Sequence, residues 1–434
     1  MKKLNYELFL QLFIFVERVK KLGYNLKLMG VRVVAFFNKK NISVLVLIFI
    51  LLGVFFNKDA RGSENLSVDH GADTVLLMEM SKGQVLYEKN MHEKKHPAST
   101  TKILTALLLL QNSSLSEQVK ITENAFRVRG STLHLNKGMT ISVRDLLYGI
   151  MLRSANDGAV AAAEHVSGSV DEFLDKMNRR AKEFGAKNSN FQNPHGLSNG
   201  YPEHKTTAYD LAMISREALK CPIFRKIVKT DKEEIILDDG KRDLHNNNKL
   251  LGSYDGLNGI KTGYTSKSGY TFVASATREE TTLLAVVLGQ NTWEGLFEDA
   301  KNLMDYGFEN YEKVEIVEQG EKVGSINMDH GIDVELYTDS SVSHMVSLEE
   351  SEGTIKKNNE VKETISFPLE KNDRIGKVQI LDEQEEKIGK SGLIIKEDID
   401  RPLKSYFVST PVLLMAVIMV TGIFILLKNK KREL

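Results

Sequence analysis

Cysteine is almost absent from this sequence, since Cys221 is the single one among 434 residues. An intramolecular disulfide and a cysteine-based zinc knuckle are therefore both excluded. Net charge is absent too, because 58 lysines and arginines balance 58 aspartates and glutamates. A chain without net charge has no global field that would favour nucleic acid or an acidic partner. No internal repeat and no low-complexity tract occurs, and the length predicts two or three globular domains.

Charged residues are missing from 407–427, an apolar run that is followed by a basic tail at 428–434. The run is long enough to cross a bilayer, and its basic flank predicts that the tail stays cytoplasmic. A shorter apolar run at 42–56 has no small-residue cleavage site after it. It is consistent with either a signal peptide or an uncleaved signal anchor.

The basic extension at 1–41 is long for the n-region of a signal peptide, which leaves both Met1 and Met29 open as the start of the protein. Positive charge lies on the outer side of both apolar runs. We therefore expect both ends of the chain to face the cytoplasm and 57–406 to lie outside the cell membrane. Residues 57–72 are polar and predict a tether.

Two patterns divide the remaining sequence into an expected catalytic domain and a smaller domain. In 73–311, strand-like segments stand at both ends and helix-like segments, such as 115–129, lie between them. This arrangement predicts one antiparallel sheet with a helical layer. In 312–401, short alternating segments separated by charged turns predict an all-β domain. The expected fold class is α+β, followed by this small all-β domain, with membrane segments at both ends.

A serine and a lysine stand at the start of a helix-like segment that contains no glycine or proline from 98 to 110. Ser99 and Lys102 are three residues apart, which places both side chains on one face of a helix. A serine hydroxyl becomes a nucleophile when a base takes its proton, and a lysine acts as that base when burial or another cation keeps it neutral. The pattern alone also fits a capping serine followed by a solvated lysine.

Two further triplets strengthen the catalytic interpretation. Residues 154–156 (Ser-Ala-Asn) follow an apolar helix-like segment, and residues 261–263 (Lys-Thr-Gly) end a strand-like segment that begins at Leu257. The patterns S-x-x-K, S-x-N and K-T-G in this order, on helix, helix–loop junction and strand, are an established joint signature of penicillin-binding proteins and class A β-lactamases.

From about Ala72 to Arg401 the chain closely resembles the low-molecular-mass penicillin-binding D-alanyl-D-alanine carboxypeptidases, a serine peptidase family with a catalytic domain and a following β domain. Besides the triplets, the blocks that carry the resemblance are 193–197 (Asn-Pro-His-Gly-Leu), 204–212 (His-Lys-Thr-Thr-Ala-Tyr-Asp-Leu-Ala) and 259–265 (Gly-Ile-Lys-Thr-Gly-Tyr-Thr). The resemblance implies a β-lactamase/DD-peptidase-like fold. It also implies removal of the terminal D-Ala from peptidoglycan stem peptides through an acyl-enzyme on Ser99, with β-lactams as inhibitors.

The residue types fit these implied roles. Ser99 is the nucleophile, Lys102 takes its proton, and Ser154 relays a proton to the leaving amine. Lys261 and Thr262 suit the terminal carboxylate of the substrate. The expected substrate-binding residues are Asn156, Lys261, Thr262, Gly263 and Tyr264. The resemblance also implies an oxyanion hole formed by the backbone N–H groups of Ser99 and Tyr264.

Some members of the family carry a carboxylate-binding arginine just after the strand that corresponds to 281–288. This chain has Gln290 and Asn291 there, so we expect Lys261 and Thr262 to bear more of the carboxylate binding. No cofactor and no metal is expected. Residues 92–96 match the zinc motif H-E-x-x-H, but Pro97 disfavours the helix that such a motif requires.

Two alternative functions remain beside the carboxypeptidase. A β-lactamase-like hydrolase would use the same fold, although the Glu-x-x-x-Asn loop pattern of class A enzymes is absent. A non-catalytic wall-binding protein would have no physical need for the intact serine and lysines. The expected partners are stem peptides ending in D-Ala-D-Ala, β-lactams and the membrane, without nucleic acid. The expected location is the cell membrane, with the catalytic domain on the extracytoplasmic face.

Overall fold

The computed structural model describes residues 27–28, 31–32, 68–328, 332–348, 355–362, 365, 367–382, 385–400 and 411–430. The chain forms two compact units, Met1–Ser67 and Val68–Leu434. In the first unit, the two-residue strand Lys27–Leu28 pairs antiparallel with Val31–Arg32. The apolar run predicted at 42–56 lies outside the described residues, as do most of the basic extension and most of the tether.

The elements are numbered in chain order. The strands are β1 Lys27–Leu28, β2 Val31–Arg32, β3 Thr74–Glu79, β4 Val85–Lys89, β5 Gln118–Lys120, β6 Thr140–Ser142, β7 Lys232–Leu237, β8 Gly240–His245, β9 Leu257–Thr265, β10 Gly269–Arg278, β11 Thr281–Gln290, β12 Tyr311–Val317, β13 Lys322–Met328, β14 Ile332–Thr338, β15 Val342–Ser347, β16 Lys356–Val361, β17 Arg374–Leu381 and β18 Lys387–Ile394. The helices are α1 Lys102–Asn112, α2 Glu123–Arg127, α3 Val143–Leu152, α4 Asn156–Ser167, α5 Val170–Glu183, α6 Ala208–Lys220, α7 Pro222–Lys229, α8 Trp293–Asn310 and α9 Pro411–Lys430.

The central sheet is antiparallel and combines strands from both ends of 68–311, in the order β4-β3-β11-β10-β9. Its middle strands are buried on both faces, because alternate residues enter different cores. Leu76 and Met78 pack with the helices from α1 to α7, whereas Val75 and Leu77 pack with α8. The predicted antiparallel sheet with an inserted helical layer is confirmed.

The helix predicted over 115–129 is wrong in its first half. Residues Gln118–Lys120 form strand β5, which pairs with β6, and α2 occupies only Glu123–Arg127. The partner strand of β5, Thr140–Ser142, lies well beyond the predicted helix along the chain. A local apolar pattern does not report such a partner, so tertiary pairing overrides the local preference.

The strands from β12 to β18 form an all-β domain, as predicted. Strands β13-β14-β18-β17-β16 form one sheet and β12 pairs with β15 in another. Buried side chains from these strands form a core of their own, which includes Val334, Val378 and Leu393.

The hairpin between β3 and β4 is joined to strand β15 of the β domain through one side chain. The Gln84 amide donates to the Met345 carbonyl at 2.8 Å and accepts from the Met345 backbone N–H at 2.8 Å. It therefore pairs with Met345 as a neighbouring strand would. Nearby, the Tyr311 hydroxyl donates to the Leu86 carbonyl at 3.0 Å.

Helix α9, Pro411–Lys430, overlaps the predicted membrane segment at 407–427. Within the part of the chain that is described, none of the helices combines the length and the apolar character that crossing a bilayer requires. The predicted membrane segments are therefore not confirmed.

Candidate active site

Ser99 lies in a tight 3-10 turn, Ala98–Thr101, and the α-helix begins only at Lys102. Ala98 has a φ of +48°, an uncommon conformation for a residue with a Cβ atom. The carbonyl before it is held from two elements, since the hydroxyls of Thr100 and Thr271 donate to Pro97 O at 2.7 and 3.0 Å. The turn that presents Ser99 is thus fixed both by its own residues and by strand β10.

Lys102 is fully buried and lies behind Ser99. Its Nζ atom is 3.0 Å from Ser99 Oγ, 2.7 Å from Asn156 Oδ1 and 2.6 Å from the His195 carbonyl. Burial lowers the pKa of Lys102 well below its ordinary value, and the positive charge of Lys261 lowers it further, against the opposing effect of Asp157.

A neutral amine has two N–H groups and one lone pair. Two oxygen acceptors other than the serine surround Lys102 Nζ, namely Asn156 Oδ1 and the His195 carbonyl. When these accept the two N–H groups, the lone pair faces Ser99 Oγ. The site can therefore hold a neutral lysine in the orientation that a general base needs.

Asn156 and Ser154 lie at the junction between α3 and α4, where Ser154 has a φ of +62°. Both side chains are buried. The Asn156 Nδ2 group donates to the Arg129 carbonyl at 2.7 Å, which directs its oxygen to Lys102. Asp157, which was not among the predicted site residues, accepts from the backbone N–H groups of Leu133 and Leu135 at 3.0 and 3.1 Å.

The Lys-Thr-Gly triplet lies inside strand β9, which continues to Thr265 rather than ending at the triplet. Lys261 is buried and donates to the Thr262 carbonyl at 2.9 Å. Burial lowers its pKa to about 7. A Cβ atom at Gly263 would lie 2.6 Å from Ser99 N, so only glycine permits this approach of the strand to the turn. Tyr264 is 55 % exposed and pairs with Tyr270.

The structure brings several of the predicted residues together around the half-buried Ser99 hydroxyl. Lys102 and Asn156 contact one another, Gly263 abuts Ser99, and the charge of Lys261 acts on Lys102. Gln290 is turned into the protein body instead, where its amide donates to Asp299 Oδ2 at 2.7 Å and accepts from Asn291 N at 2.6 Å.

The zinc motif at 92–96 is not helical, so it lacks the geometry that zinc binding by this motif requires. The His96 ring is 2.9 Å from the His204 carbonyl through Nδ1. This histidine therefore contributes to the packing of the loop that precedes α6.

Gly196 approaches the turn from the loop that follows His195. It has a φ of +93°, and a Cβ atom there would lie 1.8 Å from the Ala98 carbonyl oxygen. We expect Gly196→Ala to lower the free energy of unfolding by about 1–3 kcal/mol more than a matched control, because the overpacked backbone must move. The control is Gly200→Ala, whose φ is +83° but whose Cβ would meet nothing within 4 Å. Because both variants carry the backbone strain, denaturant unfolding of the two isolates the effect of the steric contact. Equal losses in the free energy of unfolding would refute this expectation.

Comparison with known proteins identifies the family. The sequence pattern of D-alanyl-D-alanine carboxypeptidases matches residues 60–292, and that of the penicillin-binding protein 5 C-terminal domain matches residues 311–401. The chain is 33 % identical over 375 residues to the D-alanyl-D-alanine carboxypeptidase DacF of Bacillus subtilis, covering 84 % of this chain and 95 % of that protein. It is 31 % identical over 319 residues to DacA of Haemophilus influenzae, covering 71 % and 80 % respectively.

Among solved structures, penicillin-binding protein 5 of Haemophilus influenzae aligns with a TM-score of 0.65 at 30 % identity. The alignment covers 77 % of this chain and 98 % of that one. Sequence, fold and the arrangement around Ser99 agree, and the chain belongs to the D-alanyl-D-alanine carboxypeptidase family of penicillin-binding proteins.

Proposed function

We propose that this protein is a serine D-alanyl-D-alanine carboxypeptidase that removes the terminal D-Ala from peptidoglycan stem peptides and is inhibited by β-lactams. The observation that carries the proposal is the environment of Lys102 Nζ, which lies 3.0 Å from Ser99 Oγ with two further oxygen acceptors beside it. A buried amine in this position is neutral, so it can accept the serine proton directly.

In the acylation step, Lys102 takes the proton of Ser99, and the serine oxygen attacks the carbonyl of the penultimate D-Ala. The negative charge that develops on the carbonyl oxygen is stabilised by the backbone N–H groups of Ser99 and Tyr264. The C–N bond then breaks: Ser154 passes its proton to the departing amine of the terminal D-Ala and takes up the proton held by Lys102, so that Lys102 is neutral again. Water hydrolyses the ester in a second step and restores the Ser99 hydroxyl.

The terminal carboxylate of the substrate is bound by Lys261 and Thr262. Gln290, which stands near the position of the family's carboxylate-binding arginine, uses its amide to bind Asp299 and Asn291. The assignment of carboxylate binding to Lys261 and Thr262 is therefore supported indirectly. Strand β9 is at the edge of the sheet, so it offers backbone groups with which an extended peptide can pair.

The charge of Lys261 predicts a pH dependence. Its pKa is lowered to about 7 by burial, so the free enzyme loses this positive charge as the pH rises above about 7. We expect kcat/KM for a peptide ending in D-Ala-D-Ala carboxylate to fall above this pH, by up to about tenfold per pH unit. The same peptide with a C-terminal amide is the control and should show no such fall. A profile that stays flat to pH 9 for the carboxylate substrate would contradict the assigned role of Lys261.

One assay separates the three functions considered. The full-length protein in non-ionic detergent is incubated with a peptide ending in D-Ala-D-Ala and, separately, with fluorescent penicillin. Release of D-Ala together with a long-lived covalent label supports the carboxypeptidase. Rapid turnover of penicillin would instead support a β-lactamase, and the absence of both reactions would support a non-catalytic wall-binding protein.

We also propose a role for each segment of the chain. Residues 73–311 are the catalytic domain, 312–401 hold it on the extracytoplasmic face, and 407–427 attach the protein to the membrane. This attachment is supported by the uncharged run, the basic tail and the exposed apolar side chains of α9, of which Phe424 is 73 % exposed. A chain that ends at residue 406 should leave the membrane fraction when 42–56 is a cleaved signal peptide, and its retention there would identify 42–56 as an uncleaved second anchor.

A further inference from the structure

Two fully buried side chains, neither of them among the predicted site residues, lie behind the Ser99 turn. His204 Nε2 is 2.9 Å from Thr101 Oγ1, and Thr101 Oγ1 is 2.9 Å from the Ala98 carbonyl oxygen. Both residues have no solvent exposure. The contacts therefore run from the loop before α6 to the residue that precedes the nucleophile.

The direction of these hydrogen bonds is fixed by the backbone. The N–H group of Gln192 donates to His204 Nδ1 at 2.9 Å, and a neutral imidazole that accepts at Nδ1 carries its proton on Nε2. The ring is neutral at ordinary pH, because burial lowers the pKa of His204 to about 3. His204 Nε2–H therefore donates to Thr101 Oγ1, which leaves the hydroxyl proton to be donated to the Ala98 carbonyl.

The Ala98 carbonyl matters because it shares a planar peptide unit with the Ser99 N–H group. The two groups point in opposite directions, so a hydrogen bond that fixes the carbonyl also fixes the direction of the N–H. The Ser99 nitrogen lies next to strand β9, since a Cβ atom at Gly263 would lie 2.6 Å from it. Ala98 also has a φ of +48°, and a strained unit of this kind needs support from its surroundings.

We propose that His204 and Thr101 are positioning residues that hold the Ala98–Ser99 peptide unit, so that the Ser99 N–H group is aimed at the substrate carbonyl oxygen. The inference rests on the proposed acylation of Ser99. It assigns to the loop before α6 a part in orienting the oxyanion hole, although neither side chain touches the substrate.

Two substitutions of His204 separate this role from simple packing. His204→Gln extends an amide N–H to the place of Nε2 and keeps a donor for Thr101. His204→Asn keeps an acceptor for the Gln192 N–H but is too short to reach Thr101. We expect the acylation rate constant with fluorescent penicillin to fall about 10–100-fold in His204→Asn and to recover most of its value in His204→Gln, because a misdirected oxyanion donor loses part of its effect. If the histidine only anchors the loop at Gln192, the order of the two variants is reversed.

Thr101 supplies the second matched pair. Thr101→Val removes the hydroxyl while keeping the shape, and Thr101→Ser keeps the hydroxyl. We expect Thr101→Val to slow acylation about 10–100-fold at an unchanged dissociation constant of the non-covalent penicillin complex, and Thr101→Ser to recover most of the rate. The double variant His204→Asn with Thr101→Val should be no slower than the slower single variant, since both act through one carbonyl.

Other outcomes would overturn the proposal. They are wild-type acylation in Thr101→Val, additive losses in the double variant, or losses that follow the denaturation midpoint of each variant rather than the hydrogen-bonding group retained. Wild-type protein that fails to react with penicillin would instead refute the proposed function, so the two failures are distinguishable.

Discussion

Replacing Ser99 by alanine is expected to abolish both the covalent attachment of fluorescent penicillin and the release of D-Ala from a D-Ala-D-Ala-ended peptide. The hydroxyl oxygen is the atom that becomes the ester, so no other group around Lys102 can take its place. We expect D-Ala release to fall about ten-thousandfold or more, as for other enzymes that lose a nucleophile. Intact-protein mass spectrometry after incubation with penicillin gives a direct reading, since only an acylated chain gains the mass of the antibiotic.

The matched control for this variant is Ser116→Ala, which removes a hydroxyl from an exposed position. It should be labelled as fast as the wild-type protein. The denaturation midpoint of the Ser99→Ala variant should change no more than that of a variant with a surface substitution, because a half-buried hydroxyl contributes little to stability. Persistent labelling of Ser99→Ala would remove Ser99 from its role and with it the proposed mechanism.

The second large effect is expected from Lys102→Met, which replaces the amine by an apolar group of similar length. Loss of a general base typically slows a reaction by 10²–10⁴-fold, and we expect a fall of about a thousandfold in the acylation rate constant. Lys102→Arg is the companion variant, because a guanidinium carries a positive charge but does not give up its proton near neutral pH. Both should be slow. A Lys102→Arg enzyme within tenfold of the wild type would show that charge, rather than proton transfer, is what this position supplies.

Lys102→Met also has an expected effect on stability that activity does not report. The pKa of Lys102 in the folded protein lies well below the ordinary value of 10.5. At pH values between the folded and the unfolded pKa, the unfolded chain therefore binds more protons than the folded protein. The free energy of unfolding therefore rises with pH up to about 10.5. Without this amine the slope should be smaller, by at most about 1.4 kcal/mol per pH unit. Denaturant unfolding at several pH values between 7 and 10 measures this difference, and equal slopes would argue against a neutral Lys102.

The proximity of Ser99, Lys102 and Gly263 could be expected from the sequence, because these residues stand in short ordered motifs. Ser99 and Lys102 share a face through local helical geometry, and the approach of Gly263 to the turn follows from glycine in a strand. Residue types therefore reveal which groups meet, even though the parts come from distant segments of the chain.

Other features depend on contacts that a linear pattern does not contain. The 3-10 turn at Ala98–Thr101 exists because Thr271 on β10 and Gly196 on a loop enclose it. The strand at Gln118–Lys120 exists because β6 pairs with it. The bond between His204 and Thr101 joins residues 103 positions apart, and the segment His-Lys-Thr-Thr at 204–207 carries no signal of such a bond.

The joint between the hairpin and the β domain has a consequence for orientation. Because Gln84 binds both backbone groups of Met345, the β domain is coupled to the sheet that carries the catalytic strand, as a stiff spacer would be. A rigid joint fixes orientation, so that whatever the β domain rests against would meet the pocket around Ser99 at one set angle.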